Sequence, residues 1–196
     1  MKIKNRLVSV FVIVFLFSGL GVLAQNDEDW DEKETYDNSN KRAELIEDAK
    51  ESRSIFKDKN DELEDLFQSA YAYAIFPNVG SGAYILGGAA GNGVVYEQGE
   101  LVGFAELRQI DIGLQIGGQA FRQVILFKNQ AALNDFKSGD FEIGGNISAV
   151  VIEQGEARSI RFQDGIAVAT MPKAGAMVEL SVGGQKFEYA DDWKNK

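Results

Sequence analysis

Neither cysteine nor histidine occurs among the 196 residues. Without cysteine there are no disulfides and no thiolate metal sites. Without histidine the chain lacks the side chain that most often carries a proton near neutral pH and most often ligates a metal. Basic residues are also few, 20 Lys and Arg against 30 Asp and Glu, for a formal charge of −10. Such an acidic surface opposes non-specific nucleic-acid binding and simple adsorption to anionic lipid.

A catalytic constellation is missing as well. Ser81 sits in Gly80-Ser81-Gly82, but Val79 stands where the nucleophile elbow of a hydrolase requires glycine, and no histidine exists to activate the hydroxyl. Ser81 therefore reads as a turn residue. Glu106 with Asp111 and Glu153 with Glu156 could do acid and base work, yet their exposed-face and hairpin spacing marks them as solvated charges. The run Gly87-Gly88-Ala89-Ala90-Gly91-Asn92-Gly93 has strand signal on both sides and no following lysine, so it does not read as a phosphate cradle. The expectation is a protein that is not an enzyme and holds no metal or cofactor.

What is present begins with a leader. Lys2, Lys4 and Arg6 precede the apolar run Leu7 to Phe17, and Val22-Leu23-Ala24 fits a signal peptidase site, so residues 1–24 read as a signal peptide cleaved after Ala24. The alternative is an uncleaved anchor, because Leu7 to Ala24 just reaches spanning length. Cleavage removes three cations and deepens the acidity. No cysteine follows, so the chain is not a lipoprotein, and its expected location is periplasmic or secreted. Residues 25–40 are acidic and poor in aliphatics, and they read as a disordered linker.

From Lys41 to about Ala70 the period is helical, with Asn40 as a cap and a break at Lys59-Asn60-Asp61, where Asp61 caps a second helix through Leu63, Leu66 and Phe67. At about 100° per residue, Leu45, Ala49, Ser52 and Phe56 share one arc. Arg42, Lys50, Arg53 and Lys57 flank it, and Glu44, Glu47, Glu51 and Asp58 form the opposite wall. That wheel fits an interfacial amphipathic helix; the plainer alternative is a helix docked on a sheet through the same arc.

From Tyr71 the period is two. Glycine at this density does not suit a helix, and Gly80, Gly82, Gly87, Gly88, Gly91 and Gly93 allow sharp bends or close approach of another strand. Phe76-Pro77-Asn78 should interrupt pairing. Ala105 to Ile116 alternates apolar and polar, Gln119 to Phe127 continues the strand signal, and further strands are expected at Phe141 to Glu153, Ala157 to Met171 and Ala176 to Tyr189. One exception is Asn129 to Lys137, a short helix capped by Asn129, with Ala132, Leu133 and Phe136 inward and Gly139 as its stop. The fold class is α+β: a strongly curved, mainly antiparallel or barrel-like sheet with N-terminal helices and one short helix between strands. A single domain spans 41–190, with a polar tail at 191–196.

The ordered motifs AYAIFPNVGSGAYILGGAAGNGVVY, DIGLQIGGQAFRQVILFKNQAALNDFKSGDFEIGGNISAVV and DGIAVATMPKAGAMVELSVGGQKFEY resemble the SYLF domain family in order and spacing over roughly Leu63 to Tyr189. The resemblance implies a lipid-binding module without catalytic residues. Its eukaryotic members bind phosphoinositides and in some cases actin, its many exported bacterial members have a poorly defined role, and an amphipathic N-terminal helix contributes to membrane contact. Export sets the actin role aside here. Against an acidic surface, lipid contact needs clustered cations, either Arg42, Lys50, Arg53 and Lys57 or a second patch from Arg158, Arg161, Lys173 and Lys186. The expected partner is membrane lipid or a lipid ligand. The alternative is a structural or protein-interaction domain of the periplasm that pairs with an envelope protein through a sheet edge.

Overall fold

In the computed structural model the described residues are 28–80, 88–110, 120–139, 141–143, 147–152, 159–173 and 184–193. The leader at 1–24, Ser81, Asp111, Glu153, Glu156 and Arg158 lie outside them. In chain order the elements are α1 (Glu28–Lys59), α2 (Asp61–Ser69), β1 (Ala72–Gly80), β2 (Gly88–Glu97), β3 (Glu100–Ile110), β4 (Ala120–Phe127), α3 (Gln130–Lys137), β5 (Phe141–Ile143), β6 (Ala149–Val151), β7 (Ile166–Pro172) and β8 (Gln185–Ala190).

The eight strands form one sheet in the order β5-β8-β3-β2-β1-β4-β7-β6. All pairs are antiparallel except β6 with β7, which is parallel. A flat sheet of this kind would be roughly 34 Å across. Its two edge strands are nevertheless consecutive in the chain, and the six Cα steps from Ile143 to Ala149 reach about 20 Å at most. The sheet must therefore curl, and side chains confirm it. The Phe76 ring on β1 meets that of Phe187 on β8 at 5.6 Å, although β2 and β3 lie between them. The result is a mixed, strongly curled half-barrel.

Curling is built into β1. Against both β2 and β4 this strand carries one extra residue around Pro77-Asn78, where proline offers no donor to either neighbour. The expected break in pairing is thus a bulge in a central strand. On the facing strand Gly93 leaves the room that the Phe76 ring occupies. Phe136 of α3 fills the concave side from below, at 5.0 Å from Phe127, 5.4 Å from Phe141 and 5.5 Å from Phe187. The convex side is covered by helices. Leu45, Ala49, Phe56, Leu63 and Phe67 pack there with Tyr73, Ile75, Val94, Phe104, Val124 and Leu126.

Three boundaries differ from expectation. Helical backbone begins at Glu28, so it takes in part of the stretch expected to be an unstructured linker, and Asn40 lies inside α1. Once a docked helix is nucleated, each further residue adds a hydrogen bond, and a polar run without glycine or proline can continue it. The cap of α2 is Asn60, whose side chain accepts from the Leu63 amide at 3.1 Å, in place of Asp61. The expected strand from Ala157 is broken by a turn at Asp164-Gly165, with φ of 51° and 85°, a pair suited to a tight hairpin. By contrast α3 has its expected cap, Asn129 to the Ala132 amide at 3.0 Å, and Gly139 follows it at φ +93°.

Candidate functional site

The four cations flanking the α1 arc do not form one free stripe. Leu45, Ala49, Ser52 and Phe56 are all buried, which presses part of the flank against the sheet. Arg42 lies over the Phe104 ring at 5.2 Å and 3.7 Å from the Asp192 carboxylate. Arg53 is half-buried, its guanidinium 5.3 Å from the centres of both Phe67 and Tyr73, and its Nε is enclosed without a hydrogen-bond partner. Lys50 and Lys57 stay toward solvent, paired with Glu47 at 3.2 Å and Glu64 at 2.9 Å. The docked arrangement is the plainer of the two expectations for this helix.

The second set is dispersed. Arg158 is outside the described residues and Arg161 is exposed. Lys186 stands on the outer face of β8, 3.8 Å from Glu142. Lys173, just past β7, is separated from it by four strands of the sheet. A cation that sequence reading missed is Lys173's neighbour. Arg122 pairs with Met171 across β4 and β7, the Lys173 amide donates to the Ala120 carbonyl at 2.8 Å, and both side chains belong to the convex face. Alternation along the strand from Gln119 to Phe127 was the signal, since it puts Arg122 in phase with the buried Val124 and Leu126.

The concave side holds a polar layer of its own. Gln123 and Gln185 exchange two amide hydrogen bonds at 2.8 and 3.0 Å, and Gln185 Nε2 also donates to Gln109 Oε1 at 3.0 Å. Thr170, opposite Gln123, is fully buried and its Oγ1 has no partner. These four residues come from four strands and share the inner face with Phe76, Phe121 and Leu107. The layer holds the curl closed.

At the other end the ionisable groups serve packing. The Tyr71 hydroxyl donates to Glu97 at 2.6 Å, and Lys137 approaches the other carboxylate oxygen at 3.5 Å and the Tyr189 ring at 5.3 Å. Burial, then Asp191, pushes Tyr189 up to about 12, and its hydroxyl donates to the Val102 carbonyl at 2.6 Å. A phenol so placed supplies no base near neutral pH. The Tyr71 bond, ahead of Lys137, holds the Glu97 carboxyl below its ordinary range. A depressed carboxyl adds stability above its unfolded pKa and loses it as pH falls through the folded one. Tyr71→Phe is therefore expected to flatten the acid side of a stability-against-pH curve in that window, as read by urea titration.

Residues 108–196 match the model of a family described as "Ysc84: Las17-binding protein actin regulator". Residues 108–196 thus carry a SYLF-type match. The match begins inside β3 and takes in every element after it. The chain is also similar to Beta cell expansion factor A of Aeromonas veronii, 24% identical over 124 residues. That alignment covers 62% of this chain and 47% of the relative, so the chain spans about half the length of that protein. At family level the SYLF-type match supports a lipid-binding or interaction domain of a generally non-catalytic kind.

Proposed function

We propose that this protein is an exported, non-enzymatic phospholipid-binding module of the bacterial cell envelope, and that α1 is its lipid-contacting element. Export is supported by the basic, apolar and small-residue sequence of residues 1–24. The observation that carries the lipid reading is the composition of the α1 docking face. Besides Leu45, Ala49 and Phe56 it buries Ser52, and it folds Arg42 and Arg53 over aromatic rings. A fully buried Leu or Phe contributes about 1.5–3 kcal/mol and a cation over a ring about 0.5–2 kcal/mol, so the helix is held by a few contacts. A bilayer interface takes an apolar arc flanked by cations on similar terms. Docked, the arc faces the sheet; lifted, it faces lipid. Among the described residues the rival reading of pairing through a sheet edge has little to work with, since β5 and β6 are three residues each.

The test uses the absence of cysteine. Val94, fully buried under the helices, becomes the sole thiol in Val94→Cys. The variant is expected to co-sediment with phosphatidylcholine vesicles containing phosphatidylglycerol, and its reaction with a soluble maleimide should accelerate about tenfold or more in their presence, as α1 opening changes by over ~1.4 kcal/mol. Vesicle binding with an unchanged thiol rate would show that α1 stays down and remove the helix from the mechanism. No vesicle binding at all would remove the lipid reading.

A further inference from the structure

Arg122 is a half-buried cation on the convex face of β4 whose Nε is enclosed with no hydrogen-bond partner. Enclosing that charged donor without a partner costs stability. Its neighbour compounds the cost. Lys173 projects from the same face one pair further along, where opposite and diagonal side chains interact. Its Nζ reaches Asn78 Oδ1 at 3.3 Å. The bulge at Pro77-Asn78 places that amide there, so one irregularity of β1 completes a group of three donors from β1, β4 and the end of β7. Burial first, and then the Arg122 charge, hold the Lys173 ammonium below its ordinary range, while Asp48 and Glu51 of α1 act in the opposite sense.

We propose that Arg122, Lys173 and Asn78 form a binding site for a phosphate-type anion. The guanidinium and ammonium supply charge-assisted donors, and with Oδ1 engaged by Lys173 the Asn78 amide nitrogen supplies a neutral one. The anion can come from a phospholipid headgroup or from a free phosphate ester. In the headgroup form the inference rests on the lipid-binding reading above; as an anion site it stands on these side chains alone. Docked α1 opposes the anion, because Asp48 and Glu51 bring two negative charges into the field of the pair. Lifting the helix removes them.

Titration of the full chain with inorganic phosphate, and flotation with phosphatidylcholine vesicles with or without phosphatidic acid, tests this. Arg122→Gln with Lys173→Gln should weaken phosphate binding about tenfold or more. Arg122→Gln alone should raise Tm by roughly 2 °C or more, because a cation whose enclosed Nε lacks a partner leaves a partly desolvated place. Asp48→Asn with Glu51→Gln, both at exposed helix positions, should tighten phosphate binding severalfold. Unchanged phosphate affinity in either double variant overturns the site, and so does a lowered Tm in Arg122→Gln, which would make the arginine a structural prop. Vesicle binding that survives Arg122→Gln with Lys173→Gln while phosphate binding is lost supports the site, assigns its anion to solution and leaves the lipid reading standing. Phosphate binding without preference for phosphatidic acid supports the site and assigns the anion to solution.

Discussion

Gly93→Ala is expected to cost about 3 kcal/mol, at the upper end of what overpacking usually costs. A Cβ at this position would lie 2.6 and 2.7 Å from two ring atoms of Phe76 and 2.8 Å from the Ile75 carbonyl oxygen. Neither neighbour can yield cheaply. The Phe76 ring has no exposed surface and rests against Phe187 across the curl, and the Ile75 carbonyl belongs to the β1–β2 ladder, where Ile75 faces Val94. Moving the ring opens the packed concave side; moving the carbonyl parts the two central strands. A larger side chain, as in Gly93→Leu, should prevent folding. The control is Gly139→Ala, where an added Cβ meets nothing within 4 Å and the only cost is the φ of +93°, about 1–2 kcal/mol. Urea denaturation followed by circular dichroism separates the cases. Equal losses at the two glycines would mean that the close approach of β1 to β2 has no energetic weight.

The same position shows how far the chain could be read before its fold was known. Local chemistry carried the short elements. Asn129, the buried trio Ala132, Leu133 and Phe136, and Gly139 specify α3 within a few residues of one another, so nothing distant had to be known. Pro77 announced a break for the same reason. Glycine was more ambiguous, since bending and close approach share one sequence signal, and only the partner strand decides that Gly93 makes room for Phe76. For the cations of α1 the docked and the interfacial readings both stay open on sequence alone, because a helical wheel shows angle without depth. It cannot tell that Arg53 turns over Phe67 and Tyr73 while Lys50 stays in solvent. For the stretch before Lys41, low apolar content shows that a segment packs poorly, whereas helix continuation depends on the backbone, which is helical from Glu28.

The glutamine layer had a readable trace that alternation concealed. In the sequence from Ala105 to Ile116, Ala105 and Leu107 are apolar at odd positions, while Ile110, Ile112, Leu114 and Ile116 are apolar at even ones. A period of two that slips phase between Gln109 and Ile110 leaves one polar residue on the inner face, and Gln109 is that residue, buried with Gln185 beside it in the ladder. What no local pattern can supply is Gln123, which joins them from β4 only because the sheet has curled through β3, β2 and β1.

Gln185→Met is expected to be among the most damaging substitutions of similar shape in the chain. It removes both bonds of the Gln123–Gln185 exchange and the donor to Gln109 Oε1, in an interior where Gln123 and Gln185 have no exposed surface and Thr170 already carries an unpartnered hydroxyl. The Gln123 amide loses both of these bonds, its donor and its acceptor, at about 1–3 kcal/mol for each group left unmade, which puts the substitution at about 2–5 kcal/mol. Replacing the partners together reverses the sign. With Gln109→Met, Gln123→Met and Gln185→Met combined, no amide side chain of the layer remains to be orphaned, and apolar groups of similar length should recover most of the loss. The triple variant should nevertheless lose the directional link from β4 to β8, so backbone amides of β8 should exchange faster than in the parent at equal global stability. A neutral Gln185→Met would show that the three amides are wetted by solvent and do not clasp the curl. A triple variant as unstable as the single one would place the cost in side-chain volume instead of hydrogen bonding.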